Sequence, residues 1–353
     1  MGTITDEKSM RAVHQSGWGG NPHSVLTVGI SSKPTPGPGE LLIRVKAVSL
    51  NAGDGHMLRG RPYILRAAVG AAKIPGMDFS GVVVEAGASG TSGDEYFSVG
   101  SEVFGTMDTA RGAFAEFVCV PKTSIALKPA SLSFADAASV PTAGMTALQA
   151  LRKGRLVQAE TRVLINGAAG GVGCFAVQLA KSMGAHVTAV CSTKNVDLVR
   201  SSLGADEVVD YKTTSVEAHL AEAGGDELLF DKIIDIVGSP VSRWRRLIVP
   251  EGGDLVCVSL PYPESECVPC VLCCVICSPW CLCCFSRKKS HPLMQEVSAA
   301  DLEELAEMLE KGTIRAVIGE RLVGIEAAPD AFARMGARGK VAGKVVVDMD
   351  VEK

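Results

Sequence analysis

The sequence predicts an α/β protein built from a twisted β-rich domain and a doubly wound, largely parallel sheet, and three observations carry that expectation. Residues 25–120 hold short alternating apolar runs broken by Pro and Gly, the pattern of an antiparallel sheet. Residues 162–191 read as strand, glycine-rich turn, helix and strand in about thirty residues. From there to about residue 260, strands alternate with helical segments, which implies parallel strands covered on both faces. A chain of 353 residues is long enough for two such cores.

Taken in order, residues 1–9 read as a ragged tail, followed by a strand at 25–27, a turn-rich stretch at 31–40 and an alternating strand at 41–48. Residues 51–61 read as a polar loop. Further strands are expected at 76–85, 99–104 and 113–120. The pattern changes near residue 132, where the Ala-rich segment 134–148 is helical and a polar run at 152–161 leads into the glycine unit. After it come a helix at 194–202, a strand at 207–210, a helix at 216–223 and strands at 232–237 and 255–260. An amphipathic helix at 299–311, with Leu302, Leu305 and Leu309 on one side, precedes a short helix at 330–335 and a last strand at 343–347. These assign residues 10–131 to the β-rich domain, 132–292 to the nucleotide domain with an insert at about 261–290, and 293–353 to a return into the first domain. That arrangement would leave the active cleft between the two.

The glycine unit carries the first chemistry. Gly167-x-x-Gly170-x-x-Gly173 departs from the strict G-x-G-x-x-G, yet it lies between a strand and a helix. Glycines there let the chain turn tightly and approach a pyrophosphate, and the helix start supplies free N–H donors for the phosphates. The end of the next strand distinguishes the two dinucleotides. A site for the non-phosphorylated form commonly places an acid there, to hold the adenosine ribose. Here Cys191-Ser192-Thr193-Lys194 has no acid before Asp197, and its hydroxyls and lysine suit a 2′-phosphate, so NADPH is the expected cofactor. The plainer reading of Lys194 is an exposed residue in a first helical turn.

Composition removes other classes. Apolar residues make up 47% and the net charge is −4, so the chain folds around a core and has no basic field for nucleic acid. Aromatics at 5% leave few platforms on which bases could stack. The first residues show no apolar segment of a secretory signal and no transit peptide, so the expected location is the cytoplasm. Cys119, Cys174, Cys191 and Cys257 stand singly in apolar runs, as small buried hydrophobes do.

The order of elements, together with Asn51, Asp54, Arg59-Gly60, Pro141-Thr142-Ala143-Gly144-Met145-Thr146-Ala147, the Gly167 to Gly173 turn, Gly204-Ala205-Asp206, Asp210-Tyr211 and Gly343-Lys344-Val345-Val346, resembles the zinc-free quinone oxidoreductase branch of the medium-chain dehydrogenase/reductase superfamily. The resemblance spans about residues 10–260 and 298–350. It implies a GroES-like catalytic domain beside a Rossmann-type domain, an NADPH-dependent reductase of quinones or conjugated carbonyls, and a homodimer. Zinc-dependent relatives carry Gly-His-Glu where this chain has Gly76-Met77-Asp78, and residues 51–55 hold no cysteine, so no metal is expected. By the same resemblance Asn51 and Thr142 lie near the nicotinamide, and Gly170, Gly171, Val172 and Gly173 line the pyrophosphate. Ser192, Lys194 and Tyr211 form the 2′-phosphate pocket, and Gly238, Ser259 and Lys344 surround the cofactor's other faces. Tyr63 is a candidate proton donor, or an aromatic packing residue. Two rivals stay open: a specialised enoyl or enone reductase of lipid or polyketide metabolism, and a cofactor-binding protein without catalysis.

Nothing in this fold accounts for residues 267–285, nineteen residues with eight cysteines and no charge, followed by Arg287-Lys288-Lys289. Four readings stand: an acylated segment making a peripheral membrane contact, a membrane-spanning helix interrupted by Pro269 and Pro279, an iron–sulfur run at Cys267, Cys270, Cys273 and Cys277, and a surface insert without a catalytic part.

Overall fold

The computed structural model describes residues 8–61, 66, 74–87, 96–107, 111–222, 229–250, 252–258, 289–336 and 341–349. The cysteine-rich segment 267–285, Tyr63 and Ser259 lie outside the described residues. The chain divides into two compact units, residues 1–145 with 297–353 and residues 146–296.

The first unit starts with β1 (Ser9–Gln15), short helix α1 (Pro22–Val25) and β2 (Leu26–Ser32), the strands forming an antiparallel pair. No strand was expected over β1, yet its alternating burial sets Met10, Ala12 and Val13 into the core once β2 pairs beside it. Then come β3 (Glu40–Leu50), helix α2 (Ala52–Arg59), β4 (Asp78–Ala86), β5 (Glu102–Thr106), β6 (Phe117–Pro121) and β7 (Ile125–Leu127). The polar stretch after β3 is therefore a helix and not a loop. Asn51 stands at its N-cap with Asp54 accepting from the Asn51 N–H at 2.7 Å, and Gly60 at φ 57° closes its end.

The expected helix at 134–148 is two, α3 (Phe134–Ala138) and α4 (Pro141–Arg152). Pro141 has no N–H to continue a ladder and suits the first position of a new helix. Ala135 and Ala138 pack with Ala47 and Val346, and the Ser80 hydroxyl donates to the Phe134 carbonyl at 2.6 Å, which ties α3 to the β-rich unit.

The second unit holds β8 (Arg162–Asn166), α5 (Gly171–Ser182), β9 (His186–Cys191), β10 (Glu207–Asp210), α6 (Val216–Glu222), β11 (Lys232–Asp235), α7 (Val241–Arg245), β12 (Asp254–Cys257) and β13 (Lys289–Pro292). The expected helix after β9 is a tight turn over Thr193–Asn195 and a wider helical turn over Leu198–Ser202. All six strands are parallel, in the order β10-β9-β8-β11-β12-β13. That is the dinucleotide-binding order, with its reversal between β8 and β11. Trp244, Phe230, Ile233 and Leu255 anchor one core of this unit. The chain returns to the first unit through α8 (Ala299–Glu310), β14 (Ile318–Val323), α9 (Ala328–Gly336) and β15 (Lys344–Asp348). There the order is β14-β15-β3-β4-β5-β7, with β6 on β3.

Candidate cofactor turn and buried polar cluster

In the second unit the glycine turn leaves β8 at the strand reversal, where such sheets bind ligands. Gly167 has φ 91°, a left-handed conformation that a side chain resists. At Gly173 a Cβ would overlap the Gly167 carbonyl and the Ala168 backbone, so the helix approaches the turn as closely as glycine alone allows. Gly170, the N-cap of α5, is different, because the nearest atom to a Cβ there is the Gly167 carbonyl at 3.4 Å. The first N–H groups of α5 have no partner within the helix and carry its positive end. An open approach at Gly170 beside those donors fits a pyrophosphate. Across the reversal, Asn166 donates to Asp235 at 2.7 Å and to Ser239 at 3.2 Å, and Asp235 also accepts from the N–H groups of Val237 and Ser239. These bonds shape the turn that contains Gly238, whose φ is 87°.

At the end of β9, Cys191 pairs with Asp210 of β10, and the Tyr211 N–H donates to the Cys191 carbonyl at 3.1 Å. Ser192 and Tyr211, nineteen positions apart, thus emerge side by side from adjacent strands. Lys194 is exposed on the turn after Ser192, and Lys212 lies over the Tyr211 ring at 5.3 Å. Asp210, part of the Asp210-Tyr211 motif but given no role there, stands at this same strand end. Its carboxylate is held below the usual range, chiefly by the Thr193 hydroxyl. It is therefore already engaged by the loop. Burial pushes the Cys191 thiol up to about 11, so this cysteine is inert.

In the first unit, strand register gathers side chains remote in sequence. Leu50 pairs with Val345, which sets Asn51 beside Lys344; Asp78 pairs with Ser49 on one side and Thr106 on the other. Asp78 is wholly buried. Its carboxylate accepts from the Asn51 amide at 2.8 Å, the Thr142 hydroxyl at 2.6 Å and the Thr142 N–H at 3.2 Å, and the Lys344 ammonium lies 3.5 Å away. Lys344 also donates to the Asn51 side-chain oxygen. Thr106 and Thr142 hydroxyls are 3.3 Å apart, and since Thr142 donates to Asp78, Thr106 is the donor between them. Asp54 completes the cluster. Burial, helped by the charge of Asp78, raises it to about 7, while burial pushes Lys344 down against the pull of Asp78 and Asp54.

The structure thus brings together Asn51, Thr142 and Lys344 of the residues singled out from sequence, and adds Asp78, Asp54 and Thr106. The signal for Asp54 was present as an N-cap asparagine with an acid three residues on. Nothing local marks Thr106. The donor chemistry at this position does not suit zinc: Met77 offers a soft, weak thioether, and Asp78 already has an ammonium and three donors. Among the described residues, no three His, Cys, Asp or Glu side chains are gathered to hold a metal ion.

A parallel sheet in dinucleotide order with a glycine turn at its reversal, carried in one chain with the β-rich first unit, fits a nicotinamide-dependent oxidoreductase. Residues 37–130 match the alcohol dehydrogenase GroES-like domain, and residues 203–347 match a zinc-binding dehydrogenase domain. The chain is 33% identical to the trans-enoyl reductase pgmF of Aspergillus terreus, over 89% of this chain and 87% of that one. It is 35% identical to the mitochondrial NAD(P)H oxidoreductase RTN4IP1 of Mus musculus, over 88% and 82% of the two chains. The structure of a quinone oxidoreductase from Coxiella burnetii superposes with a TM-score of 0.78 at 28% identity, over 97% of this chain and all of that one. The chain belongs to the zinc-independent quinone oxidoreductase branch of the medium-chain dehydrogenase/reductase superfamily.

Proposed function

We propose that this enzyme takes hydride from NADPH, in preference to NADH, and passes it to a quinone or a conjugated carbonyl. The observation that supports the cofactor preference is the end of β9, where Ser192 and Tyr211 leave adjacent strands, Lys194 is exposed on the turn after Ser192, and the nearby acid, Asp210, is engaged by Thr193. The acceptor class rests on the relatives, of which the bacterial structure is a quinone oxidoreductase.

Bound NADPH supplies the hydride at its nicotinamide ring. The chain's part is to bind and align. The first turn of α5, with Gly170, Gly171, Val172 and Gly173, takes the pyrophosphate, and Gly167 and Gly238 shape the turns beside it. Asn51 and Thr142 face the reacting ring. Quinones and enones are already electron-poor, so alignment of two flat π-systems replaces the polarisation that a metal would give. A proton from water or a side chain then neutralises the acceptor oxygen.

Titration of the purified protein with both cofactors tests this reading. NADPH should bind more tightly than NADH, and Lys194→Ala should weaken NADPH alone by about tenfold or more, the worth of one charge-assisted contact. Equal affinity for the two forms, unmoved by the substitution, would refute it. The trans-enoyl reductase relative favours a second reading, reduction of a specific enoyl substrate. A panel of quinones, enones and enoyl thioesters, with NADPH oxidation monitored, separates them. We also propose a cytoplasmic homodimer, to be checked by light scattering and fractionation. Among the described residues no helix is long and apolar enough to cross a membrane.

A further inference from the structure

Lys344 is held within the β-rich unit by its ammonium. It is 4% exposed and donates to the Asn51 side-chain oxygen, with Asp78 3.5 Å away. Asp78 in turn accepts from the Asn51 amide nitrogen at 2.8 Å. An ammonium can only donate and a carboxylate can only accept, so the two together fix which end of the amide points where. Turning the amide over would set its oxygen against a carboxylate and its nitrogen against an ammonium. The backbone is held as well, through the Asn51 N–H on Asp54 at 2.7 Å. Asn51 is half-buried, and its second side-chain N–H has no acceptor among the described residues.

We infer that Lys344 and Asp78 are positioning residues that lock Asn51 as a hydrogen-bond donor toward the acceptor oxygen that gains negative charge as hydride arrives. This rests on the functional reading above, in which Asn51 faces the reacting groups. A donor aimed where charge develops stabilises the transition state more than the bound substrate, so its loss lowers kcat and leaves cofactor affinity alone. Lys344 would contribute through Asn51 and not by touching the cofactor.

A double-mutant cycle in the full-length enzyme tests this. Lys344→Met should lower kcat about tenfold or more while the NADPH Kd stays within about threefold, and the same change in an Asn51→Ala background should cost nothing further. Losses that multiply, or a weakened NADPH Kd with kcat preserved, would overturn the proposal. Lys344→Gln keeps a neutral donor for the Asn51 oxygen and should recover part of the kcat that Lys344→Met loses. It also serves if the Met variant does not fold, since a folded Gln variant as inactive as Asn51→Ala would refute the lock. A second readout needs no turnover. In ligand-free protein labelled at asparagine with nitrogen-15, the Asn51 side-chain amide should exchange slowly in the wild type and fast in Lys344→Met. An unprotected amide in the wild type sinks the lock. A protected amide in a protein for which none of the quinones, enones or enoyl thioesters supports NADPH oxidation sinks the functional reading, and with it the catalytic role of the lock.

Discussion

Asp54 offers a quantitative test of the buried cluster. Its carboxyl is 4% exposed, close to a second buried carboxylate, and is raised from 3.8 to about 7. Between those values the folded protein holds a proton that the unfolded chain has released, so stability falls as pH rises through the window and levels off above about 7. Roughly three pH units at about 1.4 kcal/mol each make the cost of ionising this group in the folded state on the order of 4 kcal/mol. Asp54→Asn removes the charge and keeps an oxygen to accept from the Asn51 N–H. The variant should match the wild type near pH 4 and exceed it progressively up to pH 8, by as much as about 4 kcal/mol. Guanidinium denaturation at several pH values measures this, and the difference between the two proteins isolates Asp54 from other titrating groups. A difference that is flat from pH 4 to pH 8, or a variant that is the less stable at pH 8, would refute the reasoning.

The glycine turn makes a paired prediction. Gly173→Ala should destabilise the free protein by about 2 kcal/mol or more, seen in the denaturation midpoint, because its Cβ meets backbone that cannot yield. Gly170→Ala, with only one atom at 3.4 Å and an ordinary φ of −80°, should leave stability unchanged and weaken NADPH in a binding titration. In the second unit, Lys232 is fully buried and donates to the carbonyls of Leu151 at 2.8 Å and Lys153 at 2.7 Å, at the end of α4. Lys232→Met should cost about 3 kcal/mol in denaturant unfolding, since those carbonyls lose their donor. Burial lowers this lysine to about 8, so between there and its ordinary 10.5 the unfolded chain holds the extra proton. Wild-type stability should therefore rise with pH across that window, and a pH series on Lys232→Met should lack the rise.

Local rules read much of the nucleotide unit correctly because its strands are continuous apolar runs and its helices start after recognisable turns. The strands expected at 207–210 and 232–237 come from that periodicity alone, and the second ends at Asp235. The misses share a cause. Strand β13, Lys-Ser-His-Pro, has no apolar signature and is a strand because β12 offers it an open edge. Strand β1 needed β2 to explain its alternation. Helix α2 was legible from Asn51, Asp54 and Gly60, but its polar composition argued for a loop. Asp210 was visible as part of a motif, but its place beside the end of β9 was not, because the sequence shows the residues after β9 and not which strand lies beside it.

Residue order was enough for the local features: the glycine spacing between strand and helix, the hydroxyl and lysine after β9, and a methionine at position 77 where zinc-dependent relatives have histidine. The part Lys344 plays came from the folded chain alone. Asn51, Asp78 and Lys344 span 293 residues, and strand pairing sets the amide between the ammonium and the carboxylate. Such a network depends on which residues stand opposite one another across a sheet, and no spacing along the chain encodes that.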